Sequence, residues 1–239
     1  MLSEEHDLAR WFAAAARHLR ATQGTGTTVA EICDLAVAVV AGCTSASVTE
    51  AHHDRGMLLA ATDETAKALH NVQYELREGP DLEQIWQERI VWCDDFADER
   101  RWPRFAAHAV ENGVHSMVAI QLFTQDDTLG SLNLFAAQPG AFDEVTREVA
   151  QIFASHAAVA LATANEQAQL SEALHTRQRI GQATGILAER HGLTTEQAFT
   201  LLAQSSQNHN IKVRDLAKRI VAAEDAARGS ARQRTVTTG

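Results

Sequence analysis

The 239-residue sequence predicts an α+β chain: an antiparallel sheet flanked by helices, a long coiled-coil-like connecting helix and a compact C-terminal set of three helices. Three observations predict it. The run MVAIQLFTQDDTLGSLNLFAA reads as two strands around a short turn at Asp126 and Asp127, the pattern of a hairpin. From Asp143 to His191 there is no proline and the first glycine is Gly181, which allows one helix of about 45 residues, roughly 70 Å at 1.5 Å per residue. Beyond it, two short segments repeat apolar residues at helical spacing.

The elements follow in order. Residues 3–20 place Leu8, Trp11, Phe12, Ala15 and Leu19 on one helical face, with Ser3 and two glutamates at the start. A second helix with a wide apolar face is expected over 28–42. Strands are expected near Ser45–Thr49 and Met57–Ala61, then a polar helical segment, then a strand at Ile90–Cys93. The hairpin strands are placed near Met117–Phe123 and Leu129–Phe135, and Asp143 is the N-cap of the long helix. That helix ends at Gly192, the C′ position that favours a left-handed backbone. Thr194 and Gln197 form a capping box for the next helix. Its expected buried face is Ala198, Leu201 and Leu202, with Phe199 in the core beside them. Asn210 is expected to cap the last helix, built on Val213, Leu216, Ala217, Ile220 and Val221. From about Ala227 the Gly/Ser/Thr/Arg-rich end is expected to be disordered.

Charge is distributed unevenly. The net charge is −10, yet residues 1–165 hold 11 Lys/Arg against 24 Asp/Glu and residues 166–239 hold 10 against 7. A split of this kind points to two tasks and permits, without requiring, a nucleic-acid role for the C-terminal part. No apolar run reaches membrane-spanning length and no secretory leader is legible, so a cytoplasmic chain is expected. Cys33, Cys43 and Cys93 form no CxxC pair and read as free thiols. No metal site, cofactor motif, catalytic triad or phosphate loop is visible. His52 and His53 read as surface loop residues, and His108 and His115 lack a partner at metal-ligand spacing.

The segment TRQRIGQATGILAERHGLTTEQAFTLLAQSSQNHNIKVRDLAKRIV, which runs from Thr176 to Val221, resembles over roughly residues 177–222 the ANTAR family, three-helix RNA-binding domains of transcription antiterminators. The resemblance is carried by Arg179, Gln182, Ala183, Gly185, Ile186 and Leu187 on the first helix. Glu196, Ala198, Phe199 and Leu202 carry it on the second, and Ser206, Gln207, Asn210, Lys212, Asp215 and Ala217 into the third. Thr184 departs from the lysine usual in the family, which removes a charge that could meet phosphate.

Residue chemistry stands beside that resemblance. Gly181 and Gly185 lie one turn apart, and each costs a helix about 1 kcal/mol relative to alanine, so a close helix or a ligand backbone should approach them. Lys212 and Arg214 open the last helix, where cations oppose the dipole unless an anion is bound; a solvated basic face is the alternative. Arg190 serves either RNA or the helix C-terminus. Ser206 and Asn210 serve either bases or caps. The expected RNA-contacting set is Arg179, Gln182, Ala183, Gly185, Ile186, Arg190, Ser206, Asn210, Lys212 and Arg214.

Residues from about 28 to 165 resemble GAF domains. The carrying residues are Gly79 and Pro80, then Asp95, Arg101, Trp102, Pro103 and Phe105, then Gly113, Val114 and Ser116, then Gly130, Leu132, Asn133 and Leu134. Such domains bind small molecules or nothing, so the resemblance leaves the ligand open. Asp81 stands where relatives often have cysteine. The expected pocket rim is Trp92, Cys93, Phe96, Trp102 and Phe105, although tryptophans more often pack cores.

The expected division is an N-terminal helix (1–22), a sensor domain (23–160), a helical linker (161–175), an RNA-binding domain (176–226) and a tail (227–239). The resemblances imply a homodimeric antitermination regulator that binds RNA stem-loops under control of a small-molecule sensor, and not an enzyme. Two alternatives stand beside it: a cysteine-based reductase, disfavoured because no basic neighbour activates a thiol, and a sensor whose last helices bind a protein.

Overall fold

The computed structural model describes Ala15, Leu19 and residues 24–52, 55–83, 88–125 and 127–236. The expected first helix, over 3–20, lies outside these residues apart from Ala15 and Leu19, both helical and buried. The chain divides into two compact units, Met1–Gln167 and Ala168–Gly239.

In the first unit, helix α1 (Thr25–Val39) precedes strands β1 (Ser45–His52) and β2 (Arg55–Ala61). Helices α2 (Glu64–Leu76) and α3 (Pro80–Glu83), strand β3 (Ile90–Cys93) and helix α4 (Pro103–Glu111) follow. Strands β4 (Ser116–Phe123) and β5 (Thr128–Ala136) complete an antiparallel sheet in the order β2-β1-β5-β4-β3. Side chains alternate across a strand, and here both faces are covered. Val118, Ile120, Leu122, Leu132 and Leu134 pack with Val29, Ile32, Cys33 and Ala36 of α1 and with Phe153, Ala157 and Leu161. Met117, Ala119 and Phe135 pack on the opposite face with Ala66 and Leu69 of α2, with Trp102 just before α4 and with Phe105 and Ala109 of α4. Helix α4 has no counterpart among the expected elements, although Pro103 at its first position is a start signal.

Helix α5 spans Glu144–His191 without interruption, and the unit boundary falls inside it. Asp143 opens it as expected, its Oδ1 accepting the Thr146 N–H at 2.8 Å. Val145, Ile152 and Val159 are exposed on it at seven-residue intervals. In the second unit α5 is followed by α6 (Thr195–Asn208) and α7 (Val213–Val236). The Thr194–Gln197 capping box forms, and Gly192 has φ +63°. Their core is small: Ala183, Leu202 and Ala217 are fully enclosed, ringed by Ile180, Leu187, Val213, Leu216, Ile220 and Val221.

Three expectations are corrected here. Phe199 and Leu201 are exposed, at 47% and 38%, because α6 buries Ala198, Leu202 and Ser206, a four-residue repeat that turns both neighbours outward. Asn210 does not cap α7; it takes a left-handed turn (φ +52°) and the helix begins at Val213. Helix α7 continues to Val236, where the composition predicts a disordered tail from Ala227. Among the described residues, no helix is long and apolar enough to cross a membrane, and no cluster of three metal-ligating side chains occurs.

Candidate nucleic-acid interface and a buried polar cluster

In the second unit, Arg179 on α5 and Arg214 and Lys218 on α7 border one hollow of about 650 Å³. Its remaining walls include His175 and Thr176, with two carboxylates, Glu172 and Asp215. The cations outnumber the carboxylates by one. Lys212 is exposed just before α7, and Arg214 is its second residue, so both lie at the positive end of the helix dipole. An anion there would relieve the repulsion.

The other expected contact residues divide. Gln182 and Gly185 are exposed and Ile186 is half-buried. Ala183 is fully buried and serves the core, so it presents no surface. Ser206 is also buried; its hydroxyl donates to the Ile211 carbonyl and ties α6 to the turn before α7. Arg190 is exposed and pairs with Glu224 of α7. Thr184 is buried at 3% with its hydroxyl bonded to the Ile180 carbonyl at 2.7 Å. A Cβ added at Gly181 or Gly185 meets no atom within 4 Å, so no described helix approaches them closely.

In the first unit the expected pocket rim is only partly at the surface. Phe96, Trp102 and Phe105 are core residues, exposed by 2% or less. Trp92 is 40% exposed and, with the buried Cys93, borders a hollow of about 410 Å³. Asp94, Asp95, Asp98 and Glu99 make that hollow acidic, and Arg101 grips Glu99 at 2.5 Å. Burial pushes the thiols of Cys33, Cys43 and Cys93 up to about 12, so each is a neutral thiol near pH 7.

Sequence reasoning missed a polar cluster beneath α2 and α3. Ser47 and Thr49 of β1 face Asn133 and Ser131 of β5 directly across the ladder, all four on the sheet face opposite Val48, Leu132 and Leu134. Asp81 of α3 descends onto them. Its Oδ1 accepts the Ser131 hydroxyl at 3.0 Å, and its Oδ2 accepts the Thr49 hydroxyl at 3.3 Å and the Asn133 amide at 3.2 Å. The Asp81 N–H donates to Gln73 Oε1 at 3.1 Å, and His70 Nδ1 lies 3.3 Å from Thr49 Oγ1. Ser47 Oγ, Gln73 Nε2 and Asn133 Oδ1 are buried with no hydrogen-bond partner. Alternating polar residues in a strand ordinarily read as solvent-facing, and the alternation alone could not say that a helix covers them.

Burial pushes the Asp81 carboxyl up from 3.8 to about 6, while its Ser131, Thr49 and Asn133 donors draw it back. Burial lowers His70 from 6.5 to about 4. Between about pH 4 and 6, folded Asp81 holds a proton that the unfolded chain has released, so its contribution to stability falls as pH rises. Between about 4 and 6.5, folded His70 lacks a proton that the unfolded chain holds, so its contribution rises with pH. The two oppose each other. Asp81→Asn is therefore expected to steepen the rise of stability with pH across this window, by at most about 1.4 kcal/mol per unit. Urea unfolding of both proteins across the window checks it, and parallel profiles would refute it.

An antiparallel sheet covered on both faces by helices, joined by one uninterrupted helix to a small three-helix unit with a basic hollow, defines the architectural class of the chain. The family models place the chain within that class: residues 23–162 match the GAF domain and residues 168–221 the ANTAR domain. The chain belongs to the GAF family and carries an ANTAR domain after it. Neither family is a catalytic one. A comparison with curated proteins finds no match.

Among solved structures, the chain is similar to the bacteriophytochrome RpBphP3 from the photosynthetic bacterium R. palustris, at 11% identity and a TM-score of 0.55. That match covers 77% of this chain and 42% of the other. The wild-type Stigmatella aurantiaca phytochrome photosensory core module matches at 11% identity and a TM-score of 0.58, over 86% of this chain and 45% of the other. This chain thus spans less than half of either, and at such identity the likeness concerns the fold.

Proposed function

We propose that the chain is an RNA-binding antitermination regulator. Its C-terminal unit holds RNA stem-loops, and its GAF domain controls that binding. The observation that carries this reading is the convergence of Arg179, Arg214 and Lys218 on one hollow inside the ANTAR region. Guanidinium groups meet phosphate oxygens through paired N–H donors, and their planes also stack on unpaired loop bases. Gln182, Gly185 and Ile186 of α5 and Lys212 before α7 complete the proposed contact surface. Ala183 and Ser206 act beneath it as supports. A cytoplasmic location accords with this role.

Two copies joined along α5 would present two such surfaces to a paired RNA element and gain avidity of about 10²–10⁴. The exposed Val145, Ile152 and Val159 support self-association there, since they recur on one helical face at the heptad period and supply one of the two apolar positions of a coiled-coil seam. In the GAF domain, the unpartnered Ser47, Gln73 and Asn133 atoms favour the polar cluster, rather than the aromatic core, as the place that receives a polar small molecule.

The test is binding of the full chain to a diverse pool of stem-loop transcripts at several salt concentrations. Affinity is expected to fall steeply with salt as counterions are released. Absence of binding to every transcript, or binding without salt dependence, would overturn the reading.

A further inference from the structure

Phe199 is the only Phe, Tyr or Trp between residues 168 and 239, and it is 47% exposed. It borders a second hollow of about 580 Å³ whose floor is Ile180, Gly181 and Thr184 of α5 and whose edges carry Arg177 and Glu196. Above Gly181 there is open space, since a Cβ built there touches nothing within 4 Å. Leu170 and Leu174, 64% and 58% exposed, precede Gly181 by eleven and seven residues and so share its helical face. Projecting aromatic and vacant helix surface stand side by side.

The geometry points to a second copy of this chain as the occupant, with the Phe199 of each copy entering the space over the Gly181 of the other. Two features of the hollow argue for a copy rather than RNA. Arg177 and Glu196 at its edges balance, so it offers phosphate no net attraction, and Arg179, Arg214 and Lys218 border the separate hollow already described. The patch is also self-complementary in the way a twofold interface requires, because knob and hole, and cation and carboxylate, lie on the same surface. In that arrangement the Arg177 of each copy faces the Glu196 of the other. The contact also accounts for a mid-helix glycine that no described element of its own chain exploits. It extends self-association into the RNA-binding unit and holds independently of the RNA reading.

Sedimentation equilibrium of the full chain at low ionic strength tests it. Phe199→Ser is expected to raise the dimer dissociation constant at least tenfold. Gly181→Leu is expected to do the same while raising the thermal midpoint, because leucine favours the helix and the space is open; loss of folding is thereby separated from loss of docking. The decisive arm mixes two single variants. Arg177→Glu alone and Glu196→Arg alone each place like charges across both contacts of a homodimer. Their mixture restores both pairs and is expected to give heterodimer in excess of the statistical half. A monomeric native chain, a statistical mixture, or a Phe199→Ser variant that loses RNA affinity with its dimer intact would each overturn the proposal.

Discussion

Replacing Arg179 and Arg214 together by alanine is expected to weaken stem-loop binding by at least a hundredfold, with no change in the thermal midpoint. Both side chains are exposed and neither belongs to the Ala183–Leu202–Ala217 core. The only ion pair that either makes among the described residues is the long Arg214–Asp215 contact at 4.0 Å. Exposed pairs contribute little to stability, so the fold should not register their removal. A hydrogen bond to a charged group contributes about 1.5–3 kcal/mol, and removing two of them sets the hundredfold figure. The slope of log affinity against log salt should also become shallower by about one unit for each phosphate that is no longer neutralised. Arg190→Ala is a useful contrast, since Arg190 already pairs with Glu224 and should have a smaller effect. Unchanged affinity in the double variant would remove the basic hollow from the interface.

Gly130→Ala is expected to destabilise the sensor unit by about 3 kcal/mol or more, combining backbone strain with overpacking. Gly130 has φ +156°, and a Cβ built there would lie 1.9 Å from the Thr49 carbonyl oxygen and 3.1 Å from the Glu50 Cα. Both neighbours are backbone of β1, and Glu50 is the register partner of Gly130. Neither can retreat without opening the β1–β5 ladder. Thr49 and Ser131, which reach Asp81 from these strands, would lose their alignment with it. Urea unfolding should show the lowered midpoint, and a shift under about 1 kcal/mol would mean that the strands part more easily than this packing implies.

Much of this architecture is legible in the residues. Strand alternation in Met117–Phe123, the proline-free run after Asp143 and the Thr194–Gln197 box each rest on local physics, and each has its element. Gly130 is legible as part of a motif, but the neighbour that demands it is not, because the approach of the Thr49 carbonyl depends on pairing between strands far apart in the chain. The failures have a common cause. Phe199 reads as interior because it is apolar, yet which side of α6 faces inward is decided by the packing of α5 and α7 around Ala198 and Leu202. Phe96, Trp102 and Phe105 read as a pocket rim, and the helices over the sheet enclose them instead. The polar cluster around Asp81 is invisible for the converse reason: strand residues that look solvated are roofed by α2 and α3.

The depth at which Cys33, Cys43 and Cys93 lie has a practical use. Thiol-directed labels need an accessible thiolate, and each of these groups is buried with its pKa pushed up to about 12. A single engineered cysteine on an exposed position of α5 or α7 would therefore be the dominant reactive sulfur in an otherwise native chain. Fluorophores or spin labels can be attached there without first stripping the protein of its own cysteines, so the reporter and the wild-type core are kept together.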